Sequence, residues 1–382
     1  MFRKYLLSIA LIFCTALSFA QADTSHLRVS LLTCGIGDEI WETFGHTAIR
    51  ITDSTHGTDN VYNYGTFSFG PDFEMQFMRG KLLYYLSYDP FPVFMQEYIE
   101  ANRSVEEQIL MLDGAKKREI FDYLKNNALE ENRYYKYDFF FDNCATRLRD
   151  VFPRSLDGGF KFGETAAAHE RITYRQIINR YFYKTHWERF GVNLLLGSRI
   201  DKVMSNTDIM FLPDFLRDGI ANATINNQKI ATPVDVILPG SVKKPAGTNW
   251  AFVLTLSLCI LTIAGLLYRP LKLMGDIMMF LLLFISGLLG CIILLMWFGT
   301  DHQGCQNNFN ILWALPTNIF FAFAPKNRKG RYAIVAIVLL MLALVLHVLK
   351  VQEMPLLELS PMLLGLLCIY GYIYKKNSVS RV

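Results

Sequence analysis

Hydrophobic and polar positions change rhythm near residue 240. Before it, short apolar runs alternate with polar residues and turn formers; after it, apolar residues run on for most of a helix at a time. Residues 27–33 (LRVSLLT) read as a strand, closed by the Gly35-Ile36-Gly37 break. Asp38 can cap a short helix that Gly45 stops. Residues 46–52 (HTAIRIT) alternate and are rich in β-formers. The polar stretch 53–60 is a turn, and 61–67 (VYNYGTF) returns as the hairpin partner. Residues 82–88 and 105–112 are further strands. Helical spacing appears at 71–78, at 93–101, from an Asp113 cap to about Asn127, from Asp142-Asn143-Cys144 through Val151, and again from 173 to 215. Residues 225–238 form a β-rich exit. The pattern predicts an α+β head over residues 23–240 and a linker over 241–249.

The second half carries five apolar segments: 250–268, 277–298, 309–324, 332–349 and 356–374. A spanning helix needs about 20 apolar residues, so the third segment is short, and Pro316 interrupts it. Basic residues decide whether to count it. Arg269 and Lys272 follow the first segment; Lys326, Arg328, Lys329 and Arg331 follow the third; Lys375, Lys376 and Arg381 follow the fifth. The connections around Asp301-His302-Gln303 and Gln352-Glu353 are nearly free of Lys and Arg. Five alternating spans put every basic cluster inside and the head outside. The expectation is an all-α membrane domain of five helices over residues 250–374, with a cytoplasmic tail over 375–382.

The N-terminus supplies the reason for export. Arg3 and Lys4, the apolar run 5–17 and the small residues around Ala20 and Ala22 make a secretory signal over residues 1–22, cleaved after Ala20 or Ala22. An uncleaved first span is the alternative. Cys14 lacks the small residues after it that a lipoprotein signal would show. Composition agrees with a membrane protein: 52% of residues are hydrophobic and mean hydropathy is +0.22. A formal net charge of +4 gives no reason to expect nucleic acid. Cys259, Cys291 and Cys368 lie in apolar segments, and Cys34, Cys144 and Cys305 remain outside them. No Cys/His cluster has metal-ligand spacing, so no metal or other cofactor is expected.

Two spots have what a thiol enzyme needs. Gly45-His46-Thr47 puts an imidazole at the start of a central strand. Asp142-Asn143-Cys144-Ala145-Thr146-Arg147 puts a thiol in the first turn of a helix, where free N–H groups favour thiolate and can bind an oxyanion. A lone helical Cys is usually packing, but Cys144 is flanked by polar residues. Cys34 is the rival thiol, at a strand end with no helix N-terminus beside it. A third group would orient the imidazole, and on the hairpin partner Asn63 is the first candidate and Tyr64 the second; Tyr64 can equally be sheet packing. Arg50 and Arg147 can bind an anionic head group or be plain surface charges. His302 and Asn308, in the polar stretch 301–310 beside the second span, are either part of a substrate site or members of a wet, capped loop.

These residues carry a resemblance. SLLTCGIGDEIWETFGHTAIRI (30–51), VYNYGTF (61–67), YDFFFDNCATRLRD (137–150) and DHQGCQNNFNILWALP (301–316) resemble the Lnb-type lipoprotein N-acyltransferases of Bacteroidota. The GHT and DNC elements, His before Cys, also look like a circularly permuted papain-like (NlpC/P60-like) arrangement. The resemblance implies a Cys–His acyltransferase of the cytoplasmic (inner) membrane with Cys144 as nucleophile and His46 as base. Its partners would be a phospholipid acyl donor and a diacylated lipoprotein N-terminus, whose diacylglyceryl-cysteine gains an acyl chain on its α-amino group. The residues alone leave two alternatives open: a membrane-tethered cysteine peptidase or amidase acting on cell-wall peptide, and a non-catalytic lipid- or lipoprotein-binding module.

Overall fold

The computed structural model describes residues 26–156, 158–242, 247–324 and 330–379. The signal-sequence reading of residues 1–22, Cys14 included, lies outside them, as do Lys326, Arg328, Lys329 and Arg381.

The head is built on a seven-stranded antiparallel sheet. Its strands are β1 (Leu27–Cys34), β2 (His46–Asp53), β3 (Thr58–Thr66), β4 (Leu83–Pro90), β5 (Val105–Ile109), β6 (Tyr134–Lys136) and, after a small ribbon of β7 (Phe160–Lys161), β8 (Thr224–Ile225) and β9 (Gln228–Lys229), the edge strand β10 (Asp235–Leu238). The order across the sheet is β10–β5–β1–β2–β3–β4–β6. Period-two alternation on β1 sends Val29 and Leu31 to one face and Leu32 and Cys34 to the other. The first face is covered by α3 (Gly114–Asn127), α4 (Cys144–Ser155) and α7 (Pro213–Ala221); α2 (Phe91–Glu100) covers the second through Phe94, Met95 and Tyr98. As expected, Asp113 caps α3, its side chain accepting from the Lys116 N–H at 2.9 Å. The helical stretch after residue 173 is broken into α5 (Tyr174–Tyr181), α6 (His186–Leu195), two 3-10 turns and α7.

Among the described residues, four helices are long and apolar enough to cross a membrane: α8 (Trp250–Leu267), α9 (Lys272–Phe298), α11 (Gly330–Val348) and α12 (Leu356–Val379). The third apolar segment is not the fifth helix that the sequence suggests. It is a 3-10 turn (Phe309–Leu312) and the six-residue α10 (Asn318–Phe323). Pro316 has no N–H to continue a helix, and the segment presses its backbone onto two glycines of α9. A Cβ on Gly290 would lie 2.0 Å from the Ala314 carbonyl oxygen, and one on Gly287 would lie 2.5 Å from the Ile319 nitrogen. Farther along α9, Phe323 packs on Phe280 at 5.1 Å. The segment therefore runs antiparallel down α9 as a broken strand of chain. Buried Asn310 and Asn318 tie it to its neighbours: Asn310 Nδ2 donates to the Leu194 carbonyl at 3.1 Å and Asn318 Nδ2 to Ser286 Oγ at 2.9 Å.

Head and membrane helices share buried polar contacts. Asn308 Nδ2 donates to the carbonyls of Leu194 and Leu195, both at 2.9 Å, and the Gly197 N–H donates to the Gly304 carbonyl at 2.9 Å. Glu358 at the head end of α12 is paired with Arg189 of α6 and accepts from Asn249 at 2.9 Å. Phe190 and Leu194 of α6 belong to the same apolar cluster as the spans.

Candidate active site

Two elements meet at the end of the sheet nearest the membrane helices. On one, Asn143 caps α4: its Oδ1 accepts from the Thr146 N–H at 2.9 Å while Thr146 Oγ1 accepts from the Asn143 N–H at 2.7 Å. The Asn143 amide also donates to the carbonyls of Phe139 and Phe211, both at 2.8 Å, so the turn before Cys144 is held from three sides. Cys144 is then the first residue of the helix and packs on the sheet beside β2 and β3.

On the other element, β2 pairs with β3 in the register Ile49↔Tyr62 and Arg50↔Val61. That register makes Asn63 a diagonal neighbour of His46 on one face of the hairpin. Asn63 Oδ1 lies 2.5 Å from His46 Nε2. A carboxamide oxygen only accepts, so Nε2 carries the proton and Nδ1 keeps its lone pair. Gly65 lies between imidazole and thiol: a Cβ built there would be 3.7 Å from the Cys144 Cβ and 3.8 Å from His46 Cε1. Its φ of +99° and the register shift between Tyr64 and Thr66 mark a bulge that a side chain would strain.

Electrostatics describe a neutral resting pair. Burial pushes the Cys144 thiol up from its usual range to about 11, while the backbone N–H groups of Thr47, Ala145 and Cys144 itself point at the sulfur and pull the other way. Burial also lowers the His46 imidazole to about 4; the Asn63 bond opposes this and the nearby Arg103 charge adds to it. At neutral pH the pair is thiol beside neutral imidazole, a base able to take the proton as the sulfur attacks. Backbone N–H groups gathered at a sulfur are the donors that an oxyanion on an attacked carbonyl would require.

Of the remaining candidates, Cys34 stands directly across from His46 in the β1–β2 pairing and is buried against Tyr98 on the α2 face, with its thiol pushed up to about 12 by burial. Tyr64 is buried in the core against Tyr135, which is the packing alternative. Two arginines need correcting. Arg147 is bound at both nitrogens by Asp142, at 2.5 and 2.7 Å, and stacks on Tyr135 at 3.9 Å, so its charge holds the DNC turn and is not offered to a ligand. Arg50 is four residues along β2 from His46, clamped by Asp59 at 2.8 and 2.5 Å and stacked 3.4 Å over Phe91. Asn308 is also corrected: it is fully buried, its amide spent on Leu194 and Leu195 and its oxygen accepting from Gln352 at 3.0 Å. His302 does not reach the thiol; its Nε2 lies 3.2 Å from the Phe77 carbonyl.

Sequence reasoning missed Gly65, the Thr47 N–H and Asp138. Only the glycine in VYNYGTF left a trace. Asp138 matters because its carboxylate accepts the N–H groups of Phe140 and Phe141, at 3.0 and 3.1 Å, and also that of Gln303 at 3.3 Å. It thereby seats the turn that leads to Cys144 on the loop that leaves α9.

Among the described residues, one group has metal-binding composition: His26, Asp53 and His56, with ligand atoms within 4.8 Å of one another. It lies at the far end of β2, seven residues and about 23 Å of strand from His46. It takes no part in the pair.

Known families fit this architecture. Residues 15–180 match the Lnb N-terminal periplasmic domain, and residues 241–378 match the Lnb transmembrane domain. No curated protein and no solved structure matches the chain.

Proposed function

We propose, from the premise that the chain belongs to the Lnb family and is a multi-pass membrane protein with a periplasmic N-terminal domain, that it is a lipoprotein N-acyltransferase of the inner membrane working through a thioester on Cys144. The observation that carries the reading is where the thiol sits. Asp138 holds Gln303, and Phe140 packs on Gly304 so tightly that a Cβ there would come within 2.7 Å of its ring. Gln303 follows the end of α9 by only five residues. A thiol in that position faces substrates embedded in the outer leaflet. A cell-wall amidase would gain nothing from it and would need only one anchoring helix.

In the first half-reaction the Cys144 sulfur attacks an ester carbonyl of a phospholipid while His46 Nδ1 takes the thiol proton. The backbone N–H groups of Thr47, Cys144 and Ala145 support the oxyanion. The ester C–O bond breaks, His46 returns the proton to the leaving alkoxide, and a lysophospholipid departs from a thioester enzyme. In the second, the α-amino group of a lipoprotein's diacylglyceryl-cysteine attacks the thioester carbonyl. His46 takes the amine proton, the C–S bond breaks, and the thiol is restored as the amide forms. The Asn63 contact supports this cycle, because it keeps Nδ1 as the basic nitrogen. The permuted papain-like relationship is part of the same proposal: order, capped thiol helix and strand-borne His support it.

The broken segment 309–323 fits the charge pattern if it too crosses the bilayer. Five crossings keep Arg269, Lys272, Arg331, Lys375 and Lys376 inside and the head outside.

Mass spectrometry of lipoprotein N-termini tests the proposal in a strain whose only N-acylating activity is this chain. Cys144→Ala should leave lipoproteins diacylated with a free amine. Complete N-acylation in that strain would refute it.

A further inference from the structure

Just beyond Gly65 and Thr66 the chain leaves β3 for a 14-residue excursion, 67–80, that the catalytic proposal does not use. It holds the short helix α1 (Phe73–Met78), none of whose residues is buried. Phe69 is 80% exposed, Met75 48%, Phe77 53% and Met78 53%. Four large apolar side chains this open within ten residues are costly in water, so something covers them.

The structure fixes the height of this patch. The Asp301 N–H donates to the Arg79 carbonyl at 2.8 Å, His302 meets the Phe77 carbonyl, and a Cβ on Gly80 would lie 3.1 Å from the His302 nitrogen. Lys136 pairs with Asp301 at 3.0 Å. Asp301 follows Phe298, the last residue of the apolar span α9, by three positions. The open apolar faces of Phe298 and Leu295, 72% and 58% exposed, continue toward it. Exposed Arg79 and Lys81 flank the patch, where lipid phosphates would lie.

The patch also connects inward. Phe69 packs on Phe73 at 4.7 Å, Phe73 stacks on Phe67 at 5.6 Å, Phe67 meets Tyr84 at 5.2 Å, and Tyr84 stacks on Tyr137 at 4.3 Å. Phe67, Tyr84 and Tyr137 all pack in the core cluster that contains Cys144. The row is apolar throughout its faces and leads from the level of the membrane surface to the thiol.

We infer that Phe69, Met75, Phe77 and Met78 dip into the outer leaflet, and that the Phe73–Phe67–Tyr84–Tyr137 row is the track along which a phospholipid acyl chain reaches Cys144. The leaflet contact stands alone; the track rests on the acyl-transfer reading.

The test has two arms on the full chain in nanodiscs of phosphatidylethanolamine and phosphatidylglycerol. A photo-crosslinking phenylalanine replaces Phe69, Phe77 or, as control, Leu129, which is 47% exposed on the head outside the 67–80 excursion. Lipid adducts at positions 69 and 77 and none at 129 are expected. Adducts to protein only, or equal lipid capture at all three, would overturn the leaflet contact. In the second arm the double variant Phe69→Asp/Phe77→Asp should form the Cys144 thioester from nanodisc lipid at least tenfold more slowly, while thioester formation from a soluble p-nitrophenyl ester stays within twofold of the parent. Equal loss with both donors, or loss with neither, would overturn the track. Absence of any thioester in the parent chain would instead overturn the acyl-transfer reading, and the track with it, while leaving the leaflet result to be read from the first arm.

Discussion

Asn63 is the residue whose replacement separates a positioned imidazole from one that merely lies near a thiol. Its oxygen is 2.5 Å from His46 Nε2. Asn63→Ala leaves that N–H without a partner in an enclosed site, at a cost of about 1–3 kcal/mol. It also frees the ring to move its proton to Nδ1, the nitrogen that must stay basic. With about 1.4 kcal/mol per factor of ten in rate, the loss should be roughly 5- to 150-fold in thioester formation. A rate loss alone could reflect general loosening, so Asn63→Asp supplies the second readout. It keeps an accepting oxygen and adds a negative charge. His46 is held low, at about 4, chiefly by burial; an adjacent carboxylate favours imidazolium and raises it. The acid limb of the pH–rate profile should therefore move upward by a unit or more, with activity at pH 8 recovered above that of the Ala variant. The assay is the initial rate of thioester formation on purified protein in lipid nanodiscs between pH 4 and 9. An Asn63→Ala rate equal to the parent's, or an unmoved limb in Asn63→Asp, would show that Asn63 does not hold the imidazole.

Two further predictions bear on the same pair. Because burial holds the Cys144 thiol near 11, its alkylation by a small neutral reagent such as chloroacetamide should keep rising above pH 9; a plateau from pH 5 to 8, the mark of a thiolate–imidazolium pair, would contradict a neutral resting state. Gly65→Ala puts a side chain at φ +99° in contact with both Cys144 and His46; roughly 1–2 kcal/mol of backbone strain should lower the thermal midpoint by a few degrees and slow thioester formation about tenfold, and a variant with parental rate would show that the gap at Gly65 is not needed.

Much of the head was legible because its signals are local. Alternation placed β1 and β2, the Asp53–Asn60 turn set the hairpin, and an Asp or Asn before a helical run marked α3 and α4. The hairpin also brought Asn63 within range of His46, although only the register shows that they meet diagonally. What was not legible depends on which side chains pair, most often across long stretches of sequence. Arg50 reads as a free cation until Asp59 and Glu107, 57 residues away, are seen around it. Arg147 looks like an anion site until Asp142, in the preceding turn, neutralises it. Asn308 looked like substrate machinery in a polar loop, yet it closes a seam between α6 and the spans. The third apolar segment had the composition of a span, but Pro316 and the glycines of α9 let its backbone pack closely without a continuous helix. The edge strand β10 read only as β-rich, since its pairing with β5 spans more than a hundred residues.

A covalent acyl chain on one sulfur can be sought directly. Purified protein in nanodiscs of a phosphatidylethanolamine with chains of known mass, quenched before lipoprotein is added, can be digested and read by mass spectrometry at the peptide bearing Cys144. The mass of one acyl chain is expected there, released by neutral hydroxylamine, lost on addition of a diacylated lipopeptide and absent from His46→Gln. N-acylation of the lipopeptide with Cys144 never acylated, or an acyl chain found only on Cys34, would contradict a thioester on Cys144.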